Sequence, residues 1–214
     1  DTYHSFSFSS YYDPRFTGFR DLLVINEDVV SAGEGFGTHG HSDMEIITYI
    51  LKGELSHKDS MGTTSTLNAG EVQRMSAGTG IRHSEFNASK EKPVHLLQIW
   101  ITPDKDGIKP SYEEKTYTEE DKRNRLKLIV SPDGKDDSMR MNQNAALYAS
   151  ILEEGKTLEY RLKPGRHAWV QVARGGVELN GQKLSAGDGA SVSDESLLKL
   201  KALNETEFLV FDLP

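Results

Sequence analysis

Leu67-Asn68-Ala69-Gly70-Glu71 is echoed in the second half of the chain by Leu184-Ser185-Ala186-Gly187-Asp188. In both, a turn glycine followed by an acid leads into a strand candidate, which predicts two copies of one unit. Outward from these turns, short runs rich in Val, Ile, Leu, Tyr and Trp recur at residues 22–25, 45–51, 94–101, 126–130, 146–152, 168–172 and 208–211. Their length and composition read as strands. Asp59-Ser60-Met61-Gly62 and Pro132-Asp133-Gly134 supply turns between them. Asn180-Gly181 is the strongest hairpin signal, because a type I′ turn needs positive φ at both central positions. Long amphipathic helical patterns are missing. Only residues 112–125 qualify, and their dense charge reads as a short helix or a solvated linker. The chain is therefore expected to be all-β, with each sheet closing into an antiparallel barrel that leaves no exposed edge. The charged segment divides it into domains at 1–125 and 126–214.

Bulk properties narrow the function classes. The chain has 214 residues and a formal net charge of -8. Its basic residues are scattered, which argues against a direct grip on nucleic acid. Cysteine is absent, so disulfides, thiolate zinc sites and cysteine nucleophiles are excluded together, and a cytoplasmic location is favoured. No apolar run approaches the roughly 20 residues of a membrane helix. The start, Asp1-Thr2-Tyr3-His4, has neither a signal-peptide pattern nor an initiator methionine, so the chain is expected to begin inside a longer gene product.

The chemistry centres on three of the seven histidines. In Phe36-Gly37-Thr38-His39-Gly40-His41 the two imidazoles are one residue apart, and on an extended strand both face the same side. Asp43 and Glu45 share that parity if the strand stays regular. Gly78-Thr79-Gly80-Ile81-Arg82-His83-Ser84-Glu85 sets a second imidazole and a carboxylate at the same spacing. A lone His-X-His is common by chance, and hydrogen-bonded histidines at a strand end are the plain alternative. That alternative leaves unexplained why four potential ligands share parity on two distant strands. Three nitrogens and one carboxylate oxygen suit iron, nickel, copper, zinc or manganese and leave positions for water or substrate. His57, just before a turn, reads as a structural or supporting residue for the ligands. His4, His95 and His167 have no partner pattern and read as ordinary surface or core residues.

These residues resemble a known superfamily. Gly33, His39-X-His41 and Glu45 are similar to the first cupin motif, with Gly53 one residue late. Gly70, Gly78, His83 and Asn87 are similar to the second, with Ser76 where proline is usual and two extra residues between Gly78 and His83. The segments around His39, from Gly53 to Gly62 and from Met75 to Glu85, together resemble the pirin family, in its bacterial quercetin 2,3-dioxygenase branch. Gly40 stands where proline is usual. The likeness is firm from Phe6 to Ile101 and looser beyond.

The resemblance implies a bicupin of two jelly-roll barrels, with the metal in the first only. It assigns His39, His41, His83 and Glu85 as ligands, Glu85 also as the catalytic residue, and leaves Glu45 to support the site from its edge. It implies one divalent transition metal, with iron(II) favoured over copper, nickel, zinc, cobalt or manganese. The implied activity is cleavage of a flavonol such as quercetin by dioxygen with release of carbon monoxide, by a monomer. Its competitor is a redox-sensitive regulatory protein acting through a protein partner. A metal-free storage or sugar-binding cupin fits poorly, because the ligand set is complete.

Overall fold

The computed structural model describes all 214 residues, and strands dominate it as the patterning predicted. Two compact units emerge: residues 1–116 with 141–143, and residues 117–140 with 144–214. No helix is long and apolar enough to cross a membrane.

The first unit contains β1 (Thr2–His4), β2 (Leu22–Val30), β3 (Gly35–His41), β4 (Glu45–Lys52) and β5 (Glu54–Asp59). It continues with β6 (Thr64–Asn68), β7 (Glu71–Ser76), β8 (Ile81–Asn87), β9 (Val94–Ile101) and β10 (Ser111–Thr116). A six-stranded sheet runs β1-β2-β9-β4-β7-β10, and a four-stranded sheet runs β3-β8-β5-β6. The β-branched and aromatic run Ile46-Ile47-Thr48-Tyr49-Ile50 makes β4 a central strand, buried along that whole run.

The second unit contains β11 (Lys127–Ser131), β12 (Met139–Arg140), β13 (Ala146–Leu152), β14 (Thr157–Arg161) and β15 (His167–Arg174). After these come β16 (Gly176–Leu179), β17 (Gln182–Ser185), β18 (Gly189–Val192), β19 (Leu197–Ala202) and β20 (Thr206–Leu213). Its sheets run β12-β11-β13-β20-β15-β18 and β14-β19-β16-β17.

Eight strands of each unit follow the same order. The core β2-β9-β4-β7 has its counterpart in β13-β20-β15-β18, and β3-β8-β5-β6 in β14-β19-β16-β17. The two echoing turns are equivalent at the atomic level. Each carries the chain from the four-stranded to the six-stranded sheet, at Gly70 (φ 85°) and Gly187 (φ 87°). Glu71 caps the first by accepting from the Asn68 amide at 2.5 Å, and Asp188 caps the second from the Ser185 amide at 2.8 Å. Gly70 donates to Ile50 O as Gly187 does to Val172 O. The Asn180-Gly181 hairpin also forms, joining β16 to β17 with φ of 46° and 87°.

Residues 112–125 depart from the sequence reading. Their first part is strand, β10, paired antiparallel with β7 at the sheet edge. Only α1 (Glu119–Lys122) is helical, one turn closed by a capping box between Thr118 and Asp121. Edge pairing satisfies the backbone of residues 111–116, and alternate side chains, Tyr112 and Glu114, then share one face. Strand pairing thus overrides a weak helical pattern.

Candidate metal centre

β8 lies between β3 and β5, and its register builds the site. His39 on β3 stands opposite His83, while Asp59 and His57 on β5 stand opposite His83 and Glu85. The β3–β8 register shifts between Phe36 and His39. Such a bulge re-aims the side chains that follow it.

His83 Nε2 lies 3.0 Å from both His39 Nε2 and His41 Nε2. His39 Nδ1 donates to Gly37 O at 2.8 Å, so in the neutral ring Nε2 carries a lone pair. Burial, then neighbouring His39, lowers His41 to about 4, and burial with His39 and His41 beside it lowers His83 to about 3. Both rings are therefore neutral at pH 7. Two ligands at right angles, each about 2.1 Å from an ion, lie about 3.0 Å apart. Protons between ring pairs cannot satisfy three converging lone pairs at once, whereas one cation does. The three histidines fit a divalent metal.

Glu85 is fully buried and its donor atoms cluster with those of His83 and His57 within 4.8 Å. It does not belong to the tight cluster of His39, His41 and His83. Its Oε1 accepts from Gln73 Nε2 at 2.5 Å and its Oε2 from Gln98 Nε2 at 2.9 Å. Burial pushes its carboxyl above the usual range, opposed by His57 and the two amides. His57 is itself buried, stacked on Tyr112 with centroids 4.8 Å apart, and its Nε2 meets Asp59 Oδ2 at 3.1 Å. Its Nδ1 has no partner.

The anchors of Glu85 belong to a polar rung that crosses all six strands of the large sheet. In register it runs His4, Asn26, Gln98, Thr48, Gln73 and Glu114. Thr48 donates to Gln98 Oε1 at 2.7 Å and receives from Gln73 Nε2 at 2.9 Å. The Tyr112 hydroxyl donates to Glu114 Oε2 at 2.7 Å and lies 3.1 Å from Gln73 Oε1. Sequence reading missed these residues because each is a single polar position inside an apolar or mixed strand, and only pairing lines them up.

The equivalent row in the second unit is mostly apolar, its polar atoms being the hydroxyls of Tyr148 and Tyr160. Val170 stands between Val210 and Ala190, Leu179 faces Leu200, and Tyr160 faces Leu198. These side chains belong to or pack against one aliphatic core. The interior that holds a donor set in the first unit is filled by packing in the second. Leu200→Ala is expected to destabilise by about 2–5 kcal/mol, read by urea unfolding, with metal content unchanged. Metal loss in that variant would couple the two interiors.

Glu45 departs from the parity reading. Asp43 has φ of 45° and breaks the strand between β3 and β4, so Glu45 no longer continues the face of His39 and His41. An odd number of residues separates it from Thr48, placing it on the opposite face of β4. Its carboxylate accepts instead from Ser76 Oγ at 2.8 Å and Asn142 Nδ2 at 3.0 Å. That bond holds residues 141–143 to the first unit, and Glu45 does not support the ligands from their edge.

A cavity of about 280 Å³ opens beside the centre, lined by His39, Glu85 and Gln98 and walled by Phe8, Phe36 and Trp100. His4, read from sequence as ordinary, also lines it. The other two such histidines, His95 and His167, bond to Glu27 and Ser193.

Comparison with known proteins accords with this geometry. The chain is 47% identical over all 214 residues to a protein of Escherichia coli strain K12 named quercetin 2,3-dioxygenase, covering 91% of it. The chain belongs to the pirin family. Residues 1–101 match the family profile described as Pirin, and residues 128–213 match that of the quercetinase C-terminal cupin domain. The fold matches a bacterial pirin, YhhW from Escherichia coli, solved in complex with nickel(II). Its TM-score is 0.96 at 46% identity, over 100% of this chain and 91% of that one. A pirin-like protein of Caulobacter vibrioides is 39% identical, over 98% of this chain and 90% of its own. The all-β bicupin read from the sequence is therefore the fold, and this pirin sits among relatives named as quercetin dioxygenases.

The neutral state of its buried histidines sets a pH dependence for this pirin. His41 and His83 protonate near 4 and 3 when folded but near 6.5 when unfolded. Between those values the unfolded chain binds more protons, so stability rises with pH there and falls on acidification. Metal-free protein is expected to lose unfolding midpoint steadily from about pH 6.5 to about pH 4. The raised carboxyls of Asp28, Glu45 and Glu85 act in the opposite sense, so the histidine part is read as the difference from His41→Ala and His83→Ala variants. No difference would contradict burial of neutral rings.

Proposed function

We propose that this pirin is a metal-dependent dioxygenase that cleaves a flavonol such as quercetin with release of carbon monoxide. The observation that carries the reading is the convergence of three imidazole nitrogens beside Glu85, at the wall of an aromatic-lined cavity. His39, His41 and His83 would hold the ion, with Glu85 as the fourth ligand. Iron(II) is the favoured ion, and the same donors accept nickel, copper, zinc, cobalt or manganese. When bound, the ion supplies Lewis acidity that lowers the pKa of a coordinated hydroxyl.

The protein's own groups do the rest. Phe8, Phe36 and Trp100 take the flat faces of the substrate rings and displace water from them. Glu85 accepts the proton of the substrate 3-hydroxyl, a task suited to a carboxyl whose pKa burial raises above the usual range. Gln73 and Gln98 then hold the carboxylate in place as it gains and loses that proton. Dioxygen adds to the activated ring, which opens and expels carbon monoxide.

Anaerobic mixing of metal-loaded protein with quercetin, followed by dioxygen, is expected to bleach the flavonol absorption and yield one carbon monoxide per flavonol. Unchanged absorption with metal fully loaded would overturn the reading.

A further inference from the structure

Away from Glu85, the cavity ends on four polar side chains from the first two strands, Thr2, His4, Asn26 and Asp28, of which the last three carry its hydrogen-bonding character. Along the rung, His4 lies two strand spacings beyond Gln98, or about 10 Å. Asn26 and Asp28 are only 3% and 4% exposed. Burying such groups is costly unless something binds them, yet neither is fully engaged by the protein. His4 Nδ1 donates to Asn26 Oδ1 at 2.7 Å, which leaves Asn26 Nδ2 as a donor and, in the neutral ring, His4 Nε2 as an acceptor. Asp28 sits beside Thr2, which bonds it, and near His4 and the amino group of Asp1, with no Arg or Lys partner. The His4 ring is fixed by stacking on Tyr11, with centroids 5.7 Å apart and planes at 23°.

A metal-binding end and a hydrogen-bonding end thus face each other along aromatic walls. The far end offers acceptors to hydroxyl donors, and its carboxylate disfavours an anion. We propose that His4, Asn26 and Asp28 form the selectivity end of the cavity, binding the hydroxyl groups of the substrate ring held farthest from the metal ligands. The proposal takes its substrate skeleton from the flavonol reading above. It narrows the substrate class to flavonols hydroxylated on the pendant ring.

The test compares quercetin, with two hydroxyls on that ring, with the flavonol whose pendant ring carries none. Both kcat/KM in air and Kd under anaerobic conditions are measured on metal-loaded protein. The unaltered chain is expected to favour quercetin by about 10-fold or more, since a site built for a hydroxyl rejects a ligand lacking it. In Asp28→Asn and His4→Phe the preference is expected to shrink to within about threefold. The change falls on KM and Kd for quercetin more than on kcat, with metal content kept. Either variant alone carries the test if the other fails to fold. No preference in the unaltered chain, or equal losses on both flavonols, would overturn the proposal. A Kd preference that the variants erase, without any turnover, would retain it while removing the cleavage reading.

Discussion

His83→Ala is expected to empty the metal centre. The other two Nε2 atoms each approach His83 at 3.0 Å, so His83 is the member common to both close pairs. Removing it takes away one ligand and the geometry that draws the others together. Mutating even the outer partners of metal ligands costs about 10–100-fold in metal affinity or activity, and loss of a ligand is expected to exceed that. Elemental analysis should fall below about a tenth of one metal per chain, with flavonol cleavage reduced at least about 1,000-fold. The fold should survive, because the surrounding sheets are held by their own apolar rows. His95→Ala serves as control, since that ring bonds to Glu27 at 2.7 Å and does not line the cavity. Full metal in His83→Ala, or loss in His95→Ala, would refute the assignment.

Glu85→Gln and Glu45→Gln are expected to separate cleanly, although both exchange a buried carboxylate for an amide. Both oxygens of Glu85 accept from amide nitrogens, of Gln73 and Gln98. A glutamine there sets one NH2 group against another donor. Neither neighbour gains by turning over, because Thr48 donates to the Gln98 oxygen, and a turned Gln73 would set its oxygen against Thr48 Oγ1, whose one proton is already given. An unsatisfied buried donor costs about 1–3 kcal/mol, so Glu85→Gln should lower stability by that amount. It should also weaken metal binding and lower kcat about 100-fold or more, through loss of the base. Glu45→Gln keeps one oxygen for Ser76 or Asn142 and should retain metal and activity, measured by the same analysis and turnover assay. The reverse result would place the fourth ligand at Glu45.

Much of this was legible in the chain itself. His39 and His41, like His83 and Glu85, are two residues apart on strands, and same-face spacing is a local property of extended backbone. The turns at Gly70 and Gly187 were readable because a positive φ favours glycine and the acid that follows it caps the amide three residues before. What stayed hidden was long-range. The second half of β2, with Asn26 and Asp28, lay beyond the strand candidate at residues 22–25, because polar residues lining a cavity have the composition of exposed ones. Glu45 was misplaced because parity arguments assume an unbroken strand, and Asp43 breaks it.

The centre inferred from His39, His41, His83 and Glu85 is therefore sharper and slightly different. By itself the sequence specified an all-β duplicated chain, pointed to His39, His41 and His83 as candidate ligands and offered no comparable set in the second half. Only the tertiary structure decided that β8 pairs between β3 and β5, that two glutamines from a sheet rung hold Glu85, and that His4 shares a cavity with the centre. The physical reason is that alternation along a strand is set by local backbone geometry, whereas the neighbours across a sheet are set by register between segments distant in the chain.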